Sequence, residues 1–413
     1  MAPPRFFTKT QICQLKIEDL KTTLSERGLD TSGSRIALQK RLRLEIHPDL
    51  SSQSDMSQVT HDLDESGLNV LLKFREGAVY KRIPKASRLP ACLAFTKILQ
   101  SVINKNDIQS WSDLFNFARC AMGSSPRGGK NHKSQATVLN KRLEAFMLGN
   151  DVSLLSKPSS TKARKMPTLK NQVSTKMAVA DIQGAVRILT SKETILPYSL
   201  ETSNKLKEKH PHAHPESQMA SIPDDSNSCF KTNKENLLKA LRSFKKGAGG
   251  GPDGFLPQHL LDMCGDTLGE PASKLLDTLV SFMNLIVFPG KVPNIVRETF
   301  YGANLIALSK EDGGIRPIAV GFTLRRLAKK IVMFGNADFR KAEFQPCQLG
   351  VGTPKGAESA IHALRAYLVN LASQDKVVLK IDFKNAFNCI RRDKILALVK
   401  LKIPNIYNFV YQC

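Results

Sequence analysis

Leu305–Ser309 and Ile315–Val320 are strand-like runs placed on either side of Asp312-Gly313-Gly314, a turn sequence suited to joining antiparallel strands. Through most of the remaining patterned sequence, apolar residues recur three or four positions apart, the period of an amphipathic helix. The chain is therefore expected to be multidomain and mainly α, with a small α+β part. Its 413 residues allow two or three domains at roughly 100–200 residues each.

Charge narrows the partners. There are 61 Lys and Arg against 37 Asp and Glu, a net charge of +24. An excess of this size favours a polyanion, most often nucleic acid, because neutralised phosphates release their counterions. No apolar run approaches the roughly 18–20 residues that a membrane span needs. The N-terminal MAPPRFFTKT has no apolar core ahead of a cleavage site. The expectation is a soluble intracellular protein with no membrane partner. The 8 cysteines form no Cys-x-x-Cys pair, so neither a zinc site nor a disulfide framework is indicated.

Near the N-terminus, Ile17, Leu20 and Leu24 fall at helical spacing and Gly28 stops that helix. Asp30-Thr31-Ser32-Gly33 is turn chemistry, and Ser34 can cap a second helix bearing Leu38 and Leu42. The stretch LKIEDLKTTLSERGLDTSGSRIALQKRL resembles SAP domains, small helix-extended-helix modules that bind DNA, often in chromatin. That resemblance covers residues 12–46 and implies a DNA partner and nuclear residence. Lys21, Arg35, Lys40 and Arg41 are the phosphate-contact candidates, chosen by charge and position.

The charge then reverses. His47 to Ser66 holds five acids, five serines and no Lys or Arg, the composition of a disordered linker, assigned to 47–67. Helical patterns return over 68–150, with Leu89, Leu93, Leu99 and Val102 on one helix and Trp111, Leu114 and Phe115 beginning another after Ser110. Residues 151–176 read as a basic linker, 177–211 as a helical segment and 212–229 as a further linker. His210, His212 and His214 alternate between prolines and read as an exposed loop rather than a metal site.

Residues 230–413 carry the most information. Thr232 and Glu235 form a capping box for a helix whose Leu237, Leu238, Leu241 and Phe244 share a face. GAGGGPDG follows at 247–254. Leu324, Leu327, Ala328, Ile331 and Val332 make an apolar helical face after the hairpin, and another helix runs over 357–371. Lys376 to Ile381 reads as a strand that ends at Asp382, where a carboxylate at a sheet rim suits a hard cation such as Mg²⁺.

Four ordered segments here, GGGPDGFLPQHL, ANLIALSKEDGGIRPIAVGFTLRRLAKK, QLGVGTPKGAESAIHA and VVLKIDFKNAFNCIRRDKIL, resemble the early motifs of reverse transcriptases of non-LTR-type retroelements. The resemblance implies the fingers and the start of the palm, incomplete over these residues. It places Lys310 and Arg316 at the triphosphate of the incoming nucleotide and Phe387 beneath its sugar. It makes Asp382 the first catalytic aspartate and a metal ligand, with Phe383 lending a backbone carbonyl to the metal. The complete enzyme would use Mg²⁺, an RNA template and a primer. The later Tyr-x-Asp-Asp motif does not occur in these 413 residues. The expectation is an incomplete RNA-directed DNA polymerase domain, inactive alone and holding no metal stably. The alternative is a non-catalytic DNA- or chromatin-binding protein with a remnant polymerase fold.

Overall fold

The structure, a computed structural model, describes residues 15, 17–32, 38–39, 41–42, 71–72, 78–123, 134–149, 168–178, 180–218, 230–287, 290–369 and 377–413. They fall into two compact units, residues 1–69 and 70–413. The 47–67 linker, Arg35, Lys40 and the Ser34 cap lie outside the described residues.

In the first unit, helix α1 spans Ile17–Ser25 and buries Leu20 and Leu24. These two meet Leu38 and Leu42, all four fully buried, with Leu15 and Leu29 packed at the margin. Gly28 ends the helix at a φ of +70°, a left-handed conformation that costs glycine little. The expected helical spacing thus yields one four-leucine core.

The second unit is mainly helical. Its first helices are α2 (Arg88–Lys105), α3 (Ile108–Ala121), α4 (Gln135–Met147), α5 (Leu169–Met177), α6 (Ile182–Thr190) and α7 (Leu200–Glu208). There follow α8 (Lys234–Arg242), α9 (Pro257–Met263), α10 (Glu270–Val287), α11 (Asn294–Tyr301), strands β1 (Ala303–Ser309) and β2 (Ile315–Gly321), and α12 (Thr323–Gly335). The chain continues through α13 (Ala337–Phe344), α14 (Gly356–Val369), α15 (Ala386–Cys389), α16 (Arg392–Lys402) and α17 (Tyr407–Gln412). No described helix is long and apolar enough to cross a membrane.

An aromatic cluster makes the centre of this unit. Trp111 on α3 is fully buried and lies 5.6–5.8 Å, ring centre to ring centre, from Phe115, Phe282 and Phe300. Its indole N–H donates to the Asn106 side-chain oxygen at 2.9 Å, which satisfies the one polar group of the ring. Phe95 on α2, Phe117 on α3 and Phe255 make a second group of ring contacts.

Several local expectations shift. On α2 the buried stripe includes Ala91, Phe95, Ile98 and Val102, while Leu89 and Leu93 are exposed. Helix α3 starts two residues before the expected Ser110 cap, because Asp107 accepts the Ser110 N–H. Asn233, rather than Thr232, caps α8 through the Asn236 N–H. Part of the segment read as a basic linker is helical, since Thr168 caps α5.

The largest correction is the strand expected over 376–381. Residues 377–383 form no regular element, and Val377, Leu379, Ile381 and Phe383 are exposed. A run such as Val377-Val378-Leu379-Lys380-Ile381 does not make a strand without a neighbour to accept the backbone hydrogen bonds. Among the described residues the sheet consists of β1 and β2 alone.

Candidate nucleic-acid interface

In the first unit, charge surrounds the leucine core. Lys21 stands exposed on α1. Arg41 does not project freely: its guanidinium pairs with the Asp30 carboxylate at 2.9 Å and donates to the backbone oxygens of Asp30 and Ser32. Asp30 also accepts from the Ser32 N–H at 2.9 Å and the Ser32 hydroxyl at 2.8 Å. These bonds, with the Arg41 charge, hold the Asp30 carboxyl below its usual range. Arg41 therefore fastens the connection between the two helices. Its pairing with Asp30 follows from a charged turn next to a basic helix, a signal present in the sequence but assigned there to phosphate. Arg35 and Lys40, the other two candidates, lie outside the described residues.

In the second unit, the hairpin forms as expected. Strands β1 and β2 pair antiparallel, with Leu308 opposite Arg316 and Ser309 opposite Ile315. The turn closes through the Lys310 N–H to Gly314 oxygen at 2.9 Å and the Gly313 N–H to Lys310 oxygen at 3.2 Å. Lys310 and Arg316 thus sit at the same end of the hairpin. A segment ahead of α7 runs along the outer edge of β1, where the Leu196 N–H donates to Ala307 oxygen and Ser309 N–H to Thr194 oxygen, both at 2.9 Å. This covers an edge that would otherwise present unpaired backbone groups. It also brings Glu193 to Arg316, carboxylate to guanidinium, at 2.6 Å. Sequence reading missed Glu193, which lies 123 positions away.

Asp382, Phe383 and Phe387 do not join that cluster. All three are exposed, Phe387 at 94%, and no hydrogen bond, ion pair or ring contact given by the described residues links them to Lys310 or Arg316. Asn385, with its φ of +56°, anchors this stretch instead by donating to the Lys209 oxygen at 2.9 Å. Among the described residues no group of three or more His, Cys, Asp or Glu gathers where a metal ion could sit. Nothing among the described residues supplies the several converging carboxylates that a two-metal site needs. His210 bonds the Leu206 oxygen and His214 faces Glu216, an ordinary exposed loop.

The third basic site was not among the residues singled out for function. Loop 247–254 packs against the junction of β2 and α12, where a Cβ on Gly251 would stand 2.6 Å from the Phe322 Cα. Only glycine lets the two backbones approach so closely. The Asp253 carboxylate within this loop is buried and accepts the Phe255 N–H at 3.1 Å. Burial pushes its pKa up to about 7, against the opposing pull of that bond, Arg119 and Arg326. Arg326 donates to the Gly249 oxygen and to the Thr323 hydroxyl. The GAGGGPDG motif was legible as a turn; its buried acid and flanking cations were not.

No curated protein and no solved structure matches the chain. Residues 14–44 match the family model of the SAP domain, the stretch that contains α1, the Asp30–Arg41 pair and the four buried leucines, and the chain carries a SAP domain there.

Proposed function

We propose that this chain is a DNA- or chromatin-binding protein whose SAP domain engages the phosphates of duplex DNA. The observation that carries the reading is the SAP match over 14–44, supported by a net charge of +24. Lys21, Arg35 and Lys40 are the contacts, and Arg41 keeps the connection between the helices in shape. Nuclear residence follows from such a partner. Hydrogen exchange on the full chain tests this directly. Adding duplex DNA should slow exchange within 14–44 more than elsewhere, and unchanged exchange there would remove the SAP domain from the interface.

A second, finer reading is favoured by the hairpin, with Lys310 and Arg316 at one end, as a reverse-transcriptase fingers element would have them. On this reading the second unit descends from a retroelement polymerase and binds an RNA template and primer. These 413 residues supply Asp382 but no Tyr-x-Asp-Asp, so on this reading the catalytic site is incomplete. Primer extension on an RNA template with Mg²⁺ should yield no product from these residues alone. Extension that disappears in Asp382→Ala would overturn the incomplete-site reading.

A further inference from the structure

Helices α8 and α12 lie side by side, burying Leu237 and Leu241 from one and Leu327, Ala328 and Ile331 from the other. Along their solvent seam, cations sit on aromatic faces. Lys239 Nζ lies 5.5 Å from the Phe334 ring centre, Lys330 Nζ 5.0 Å and the Arg326 guanidinium carbon 5.7 Å from that of Phe244. Phe244 thus supports two cations one helical turn apart, although like charges at that spacing repel. The attraction of the ring offsets part of that repulsion.

Two of these three side chains are held by hydrogen bonds. The Lys330 ammonium donates to the Ser243 oxygen at 3.3 Å and hydroxyl at 3.0 Å, and Arg326 is fixed to Gly249 and Thr323. Arg326 Nε is buried and has no hydrogen-bond partner. Among the described residues none of the three makes an ion pair with a carboxylate, and the acid beside Arg326 is the buried Asp253. Arg242, Lys245 and Lys246 continue the basic surface and are exposed. Burial, and then the Arg326 charge beside it, pull the affinity of the Lys330 ammonium for its proton down.

Pre-positioned cations left without carboxylate partners are stabilised by an external anion. A run of six needs a ligand that repeats its charge along its length. We propose that the α8/α12 seam is a second nucleic-acid surface, one that takes the phosphates of a single strand through Lys239, Arg326 and Lys330. A strand fits better than an acidic peptide because a guanidinium can stack on a base as well as meet a phosphate. The rings beneath the cations add the apolar contact that unpaired bases use. The proposal does not depend on the SAP domain, which lies in the other unit.

The test titrates the full chain with labelled single-stranded RNA and, separately, single-stranded DNA, following anisotropy across salt concentrations. Lys239→Gln, Arg326→Gln and Lys330→Gln together should weaken binding roughly tenfold or more and reduce the salt slope by about 2, at about 0.7 per lost contact. The emission of Trp111, the sole tryptophan, reports whether the variant is folded. Should the triple variant lose its fold, Lys239→Gln alone, on an exposed residue, decides with a slope change of about 0.7. A Lys21→Ala, Arg35→Ala, Lys40→Ala chain should lose duplex binding and keep single-strand binding, so failure of either surface is seen separately. Unchanged single-strand affinity in a folded seam variant would overturn the proposal. So would equal competition by polyglutamate.

Discussion

Arg316, the second residue of β2, donates to the Glu193 carboxylate at 2.6 Å across the β1 edge. The guanidinium that sequence resemblance assigns to a nucleotide triphosphate is thus occupied by an acid of the same chain. Both side chains are partly exposed, so the pair contributes only about 0–1 kcal/mol to folding. Its larger effect is on what else Arg316 can hold. Glu193→Gln should leave the thermal midpoint almost unaltered and raise affinity for a nucleoside triphosphate several-fold, measured calorimetrically. Arg316→Lys should abolish that gain, since an ammonium lacks the bidentate fork. Equal affinity in all three chains would separate Arg316 from phosphate binding.

The SAP domain rests on very few residues. Leu20, Leu24, Leu38 and Leu42 are its buried core, and a unit of this size has little surplus stability. Leu24→Ala should cost about 2–5 kcal/mol, enough to unfold the domain. The expected outcome is lost duplex-DNA binding with Trp111 fluorescence unchanged, because that residue belongs to the other unit. Retained DNA binding in Leu24→Ala would place the duplex contact elsewhere.

Asp253 gives stability a defined pH dependence. Its carboxyl titrates near 7 when folded and near its ordinary 3.8 when unfolded. Between those values the folded chain holds a proton that the unfolded chain has released, so stability from this group declines as pH rises from about 4 to 7. Asp253→Asn keeps an oxygen for the Phe255 N–H and has no proton to lose. Denaturant titrations should find the variant gaining on the native chain as pH increases through that window and then levelling. A constant difference across the window would mean that Asp253 is ionised in the folded protein.

What the sequence revealed and what it hid divide along physical lines. The hairpin around Asp312-Gly313-Gly314 and the helix face of Leu324, Leu327, Ala328, Ile331 and Val332 were legible because local turn chemistry and periodicity decide them. The four-leucine SAP core was legible for the same reason. The run 377–381 misled because β-propensity measures how well a residue suits a paired, half-buried surface, and among the described residues no partner strand supplies one. Leu89 and Leu93 misled because several apolar faces are available on α2, and packing against α10 selects another. The contacts Arg316–Glu193 and Arg326–Gly249 join residues far apart in sequence, which no local pattern reports. Arg41 was legible as a basic residue of the SAP domain, but its partner Asp30 was not.

The central claim, that the SAP domain binds duplex DNA through its phosphates, is tested most directly by the salt dependence of duplex binding. The full chain should show log affinity falling linearly with log salt. With Lys21, Arg35 and Lys40 replaced by Ala, that slope should shrink by about 2–3, near 0.9 for each lost phosphate contact. A slope and affinity identical to those of the native chain would contradict the account.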